Sequence, residues 1–418
     1  MTLPEKEEKQ SLLRMTANPK MLTALLMGFS SGLPLLLTIT LLQAWMKDEG
    51  VDLVTIGWMN LVGLPYALKF LWAPLLDRYT LPFLGRRRGW LLTAQLGLFL
   101  SIILLALGSP KNFPWLLAVA ALLTAFFSAS QDILVDAYRR EDLPDAALGL
   151  GSSLYMNGYR AGMLLASGGG LILADHLSFT KVYLIMAACL LPGILTTLRV
   201  REPDVGAPAP ETLRSAVIDP FRDYFGRKDA FWILAFILFY KLGDQMASAM
   251  TIPFYLDMGF TKTEVGAVVK LFGFWAIVFG GVAGGVAMLR MGIFTSLWAF
   301  GILQAVSTAG FAVLARVGHS IPTLSAVVVV ENLSAGMGTA AFLAFMASIT
   351  NKKFTATQYA LLSSLMSVPR VLASGPSGIL AKHLGWEYFF IFCTLLALPG
   401  LLLLFRLAPS PFGGAKEP

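Results

Sequence analysis

Residues 21–45 read MLTALLMGFSSGLPLLLTITLLQAW, with no charged side chain from Met21 to Trp45. A helix needs roughly 20 apolar residues to cross the hydrocarbon core of a bilayer, so this stretch is long enough to span. Lys6, Lys9, Arg14 and Lys20 precede it in the manner of a secretory signal. A signal's apolar region is shorter, about 7–15 residues, and no small-x-small cleavage site closes this one. We read it as an uncleaved first transmembrane helix.

The same kind of run recurs along the chain. Of 418 residues, 56% are hydrophobic and only 14% charged, against about 25% charged in an ordinary soluble domain. On length and apolarity, spans are expected near 20–45, 54–77, 89–108, 114–138, 148–174 and 179–198. A second set is expected near 229–256, 263–289, 293–315, 321–350, 355–381 and 386–406. The fold class is therefore all-α membrane protein with twelve transmembrane helices in two six-helix pseudo-repeats. The expected domains are a cytoplasmic segment 1–19, a bundle 20–198, a linker 199–228, a bundle 229–406 and a tail 407–418. The linker holds REPDVGAPAPE, the longest Pro-rich polar stretch in the chain, and its later part, Glu211 to Arg227, has the composition of a surface helix.

The formal charge of +7 is topological and does not point to nucleic acid. Loops on the side of the N-terminus carry 21 Lys and Arg, the opposite loops six. The bias places both termini in the cytoplasm. Cys189 and Cys393 both fall inside apolar runs, which argues for buried thiols and against a disulfide framework. His176, His319 and His383 lack metal-ligand spacing, no phosphate-binding glycine loop or nucleophile elbow is present, and neither a metal nor a cofactor nor an enzymatic activity is expected. Short internal matches, GVDLVTIG at Gly50–Gly57 with GFTKTEVG at Gly259–Gly266 and ADHL at Ala174–Leu177 with AKHL at Ala381–Leu384, fit parallel six-helix repeats with a solute site between them.

The remaining five basic residues, Lys69, Arg160, Lys241, Lys270 and Arg370, lie within spans, together with Asp132, Asp136, Asp244 and Glu331. Charge at that depth costs at least about 2.5–3.5 kcal/mol and is kept where it faces a cavity or a partner. Asp132 and Asp136 share one helical face. Two desolvated carboxylates so placed can bind and release protons near neutral pH, a chemistry suited to proton coupling; ion pairs with Arg160, or with Arg139 and Arg140, are the structural alternative. Glu331 is a third candidate, since an isolated membrane carboxylate wants a proton or a cation. Lys241 and Asp244, three residues apart, either pair with one another or meet solute. Arg160 and Arg370 suit a carboxylate on the solute. Gln43, Gln131, Asn157, Tyr159, Gln245 and Asn332 supply neutral hydrogen-bonding groups, with Lys69 a further cation; bonding between helices is the alternative for each. Asn60 and Gln304 belong to the same class.

DRYTLPFLGRRRGW, Asp77–Trp90, resembles the loop between helices two and three of the major facilitator superfamily, where an acidic residue and a basic cluster latch the cytoplasmic face. The spacing here is longer than usual. The resemblance makes Asp77, Arg78, Arg86, Arg87 and Arg88 a cytoplasmic gate. Nine strings in order then resemble the AmpG muropeptide permeases: SGLP (Ser31–Pro34), LQAWM (Leu42–Met46), KFLWAPLLDRY (Lys69–Tyr79), GRRRGWLL (Gly85–Leu92), SASQDI (Ser128–Ile133), YKLGD (Tyr240–Asp244), FGILQ (Phe300–Gln304), ENL with GMGT (Glu331–Thr339) and ATQYALLSS (Ala356–Ser364). That resemblance implies import of anhydro-muropeptides, GlcNAc–anhydro-MurNAc with or without peptide, across a bacterial inner membrane for peptidoglycan recycling. It implies drive by the proton gradient, with Asp132 as the coupling aspartate, and we expect a monomer. Transport of another anionic solute, an acyl-CoA or a siderophore, and a membrane-embedded enzyme of cell-wall precursors are the rival readings.

Overall fold

The computed structural model describes residues 18–51, 59–203, 212–366 and 368–407. Helix α1 (Pro19–Asp48) starts on Asn18, whose side chain accepts the Lys20 N–H at 3.0 Å, with Pro19 in the first turn. A proline there has no helical N–H to lose. Pro34 inside the helix has no N–H to donate, and the helix widens into a π turn at Leu37–Leu41.

Residues 59–78 are broken where a single span was expected: tight turns at Asn60–Gly63 and Lys69–Leu71 alternate with helix at Leu64–Leu68 and at α2 (Ala73–Arg78). Pro65 and Pro74 each start a new helical turn. Then come α3 (Arg86–Leu107), α4 (Pro114–Asp142), α5 (Leu148–Leu164) with its continuation to Ala174, and α6 (Phe179–Arg199). Leu213–Phe225 forms α7.

The later elements are α8 (Ala230–Asp257), α9 (Gly273–Val317), α10 (Ile321–Ser348), α11 (Thr355–Met366), α12 (Val368–Leu395) and α13 (Ala397–Leu407). Helix α9 is two helices meeting at Gly292, where φ is 74°, and α12 is likewise divided at Gly385, φ 75°. Only glycine adopts that backbone without strain, and both breaks fall between spans expected from hydropathy. Eight helices among the described residues are long and apolar enough to cross a membrane. GVDLVTIG lies almost wholly outside the described residues.

Two compact units emerge. The first comprises residues 1–221 and 349–361, the second 222–348 and 362–418. A stretch from late in the sequence is thus built into the first unit. Within lipid the hydrophobic effect does not drive helices together, so close contact between small residues must do so. In the first unit α1 crosses α5 so tightly that a Cβ on Gly28 would lie 2.0 Å from the Tyr155 carbonyl oxygen. In the second, α9 meets α10 in the same way, a Cβ on Gly280 falling 2.1 Å from the Leu333 oxygen.

Candidate functional site

Each unit contains a buried polar cluster. In the first, α4 carries Asp132 and Asp136 on one face, both buried. Asp136 pairs with Arg139, one turn on, at 3.0 Å. The same guanidinium donates to the Tyr359 hydroxyl at 2.8 Å and stacks over the Tyr155 ring, 4.4 Å from its centroid. Arg140 turns instead to Asp145 at 2.6 Å. Among the described residues Asp132 has no such ion pair. Lys69, buried in the broken stretch, is the nearby positive charge that acts on Asp132 and, after Arg139, on Asp136. The Asp132 Oδ1 has no hydrogen-bond partner among the described residues, nor has Oε1 of the adjacent Gln131, whose Nε2 reaches the Ser31 hydroxyl at 3.4 Å.

Of the alternatives left by the sequence, Asp136 therefore takes Arg139, and Asp132 takes neither arginine of its own helix. Arg160 is half-buried on α5 and Gln43 half-buried on α1, while Asn157 is buried. Tyr159 is half-buried, its ring 6.1 Å from that of Tyr155. The side chains of Arg370, Lys270 and Asn60 lie outside the described residues.

In the second unit, Lys241 sits at the break between the two halves of α8 and donates to Gln304 Oε1 at 2.8 Å, with Asp244 further off at 3.6 Å. Glu331 was expected to be an isolated carboxylate. It is not: Ser307 donates to it at 2.5 Å, Thr308 lies at 3.4 Å, and Asp244 is its charged neighbour. The hydroxyls come from α9, more than twenty residues earlier, which is why the local sequence did not reveal them. Asn332 donates to the Val328 carbonyl of its own helix at 2.8 Å, and Gln245 is half-buried.

The residues expected to form a gate divide. Arg87 is fully buried between two carboxylates, 2.7 Å from Asp77 and 2.6 Å from Glu141, and it also donates to the Leu76 carbonyl at 3.2 Å. Arg86 reaches Glu141 at 3.3 Å. Asp77 in turn caps the start of α11, accepting the Thr357 N–H at 2.8 Å, its hydroxyl at 2.7 Å and the Ala356 N–H at 3.3 Å. A carboxylate on the free N–H groups of a helix N-terminus is favourable for the same reason that anions bind there. Arg88 instead closes the end of α6, donating to the Thr197 and Leu198 carbonyls at 3.0 and 2.8 Å. Arg78 stands over the Tyr79 ring. Glu141, Thr357, Tyr359 and Glu202, the last accepting the Arg87 and Arg88 backbone N–H groups, were missed from sequence. Glu141 follows an Arg-Arg pair at a helix end, where it reads as a solvated charge.

The sequence matches the Major Facilitator Superfamily over residues 21–374. It is 45% identical over 395 residues to the anhydromuropeptide permease of Escherichia coli strain K12, covering 94% of this chain and 80% of that protein. The chain is a member of the AmpG permease family within the major facilitator superfamily. A further relative, putative transporter AmpG 4 of Rickettsia felis, is 35% identical over 91% of this chain and 95% of its own length. By structure, the permease resembles the human organic anion transporter MFSD10 with a TM-score of 0.68 at 16% identity, covering 93% of this chain and all of that one. It matches a bacterial ferroportin homologue in its outward-facing state at the same TM-score and 14% identity, covering 94% and 98%. Those two likenesses establish the fold alone. The permease is a multi-pass membrane transporter and not an enzyme.

Proposed function

We propose that the permease carries anhydro-muropeptides, GlcNAc–anhydro-MurNAc and its peptides, from periplasm to cytoplasm in symport with protons, as a monomer in a bacterial inner membrane with both termini cytoplasmic. The observation that carries the solute assignment is the 45% identity to the Escherichia coli anhydromuropeptide permease over nearly the whole chain. Proton coupling is supported by Asp132, a buried carboxylate with one unpartnered oxygen beside a single lysine, which can exist charged against Lys69 or protonated without breaking an ion pair of its own. Asp136 and Glu331 are secondary proton sites in this reading. Gln43, Gln131, Asn157, Tyr159, Arg160, Lys241, Asp244, Gln245, Asn332 and Arg370, with Lys69, are assigned to the solute's hydroxyls, amides and carboxylates.

Symport follows if solute and proton each bind one conformational state better than the other, with the halves 20–198 and 229–406 rocking about the solute and the linker 199–228 between them. Asp77, Arg86 and Arg87, with Arg78 and Arg88 flanking them, form the cytoplasmic latch: Asp77 must leave the N-terminus of α11 for the inner side to open. The test is uptake of labelled disaccharide into proteoliposomes. Accumulation above equilibrium only with an inward proton gradient, abolished in Asp132→Asn, supports the proposal. Gradient-driven accumulation by Asp132→Asn at the wild-type level removes Asp132 from the mechanism, and acyl-CoA outcompeting the muropeptide replaces the solute.

A further inference from the structure

A cleft of about 900 Å³ opens on the first unit among the start of α1, the end of α4 and the end of α6 with the residues that follow it. It is large even for a small-molecule site, whose usual range is about 300–1,000 Å³. Leu22, Leu26, Pro192 and Leu195 give it an apolar wall, and Leu22 and Leu195 are themselves exposed. Lys20, Arg199 and Arg201 stand at its polar end with Asp142 and Glu202.

The two acids there are already engaged. Asp142 holds Lys20 at 2.9 Å. Glu202 spends its carboxylate on the Arg87 and Arg88 N–H groups in the first turn of α3, at 2.6 and 3.0 Å. Arg199 and Arg201 remain, both exposed, and neither makes a side-chain hydrogen bond or ion pair among the described residues. A basic residue in the last turn of a helix ordinarily answers the free carbonyls. Here Arg88 already takes those of Thr197 and Leu198, so Arg199 is not needed for that work. The segment that carries the two arginines is fixed, the Tyr138 hydroxyl donating to the Arg201 carbonyl at 2.8 Å.

We propose that this cleft binds an anionic phospholipid of the leaflet on the N-terminal side, its phosphate held by Arg199 and Arg201 and an acyl chain laid along Leu22, Leu26 and Leu195. Guanidinium groups suit phosphate through paired N–H donors, and basic pockets between membrane helices at the headgroup level are where such lipids are recognised. The site is independent of the solute and of proton coupling.

The test is native mass spectrometry of the full-length permease released from nanodiscs of mixed phosphatidylglycerol and phosphatidylethanolamine. Wild type should retain the anionic lipid preferentially, and R199Q/R201Q should lower that preference by about thirtyfold, the product of two arginine contacts near the surface. Retention of the zwitterionic lipid should not change. Lys111→Gln, an exposed charge elsewhere on the same unit, should leave the preference intact, and Leu195→Trp, which fills the cleft, should reduce retention with both arginines present. Equal preference in wild type and R199Q/R201Q would overturn the proposal, as would an equal loss in Lys111→Gln or no anionic preference in wild type, the last meaning that another segment of the chain fills the cleft.

Discussion

In the first unit three buried carboxylates are answered by arginines, Arg139 on Asp136 and Arg87 between Asp77 and Glu141. The second surrounds Glu331 with the hydroxyls of Ser307 and Thr308 and gives Lys241 the amide oxygen of Gln304. The difference matters because the two kinds of partner respond oppositely to a proton. A carboxylate that pairs with arginine loses its partner's attraction when protonated and leaves a buried cation uncompensated. A hydroxyl can donate to a carboxylate or accept from a carboxylic acid, so it tolerates both forms. Protonation would therefore disrupt the Asp136 and the Asp77–Glu141 clusters, whereas Glu331 keeps its hydroxyl partners in either form.

The sharpest way to break that comparison is at Arg87. Arg87→Gln should destabilise the permease by about 3–5 kcal/mol, since removing one member of a buried ion cluster strands the others. Thermal unfolding in detergent reads this directly, and a loss under about 1 kcal/mol would show that the cluster is solvated. Tyr359→Phe comes next. It deletes only the hydrogen bond from Arg139, so a loss of about 1.5–3 kcal/mol is expected, as for a bond to a charged group.

Thr261→Ala should cost about 1 kcal/mol by the same measurement. Its hydroxyl accepts the Glu264 N–H at 3.2 Å while Glu264 accepts the Thr261 N–H at 2.8 Å, a reciprocal cap at a helix start. The smallest effects on stability belong to Glu331→Gln and Asp132→Asn, each within about 1 kcal/mol because an amide keeps the shape and removes a buried charge. Their transport should separate: Asp132→Asn loses gradient-driven accumulation, whereas Glu331→Gln, held by the same hydroxyls, retains more of it. Equal loss in both would erase the distinction between the units.

Much of the fold was legible because the bilayer imposes a rule the sequence cannot evade. Every backbone polar group in hydrocarbon must be satisfied within its own segment, so long apolar runs read as helices, and the left-handed glycines at 292 and 385 fall between the runs as expected. The broken stretch at 59–78 was not legible as such. Its apolarity is that of a span, and the interruptions come from where Pro65 and Pro74 leave backbone donors missing.

The candidate site was legible in residue type and illegible in pairing. Asp132, Asp136, Lys69, Lys241 and Glu331 stand out by their cost in a membrane, and the sequence by itself determined that they lie within apolar stretches. Which of them find partners depends on helices far apart along the chain. The Gln131 amide reaches Ser31 across 100 residues, and Thr357 reaches Asp77 across 280. Charge burial is a property of a residue and its span, whereas a hydrogen bond is set within a few tenths of an ångström by how helices cross, and only the tertiary structure decides that.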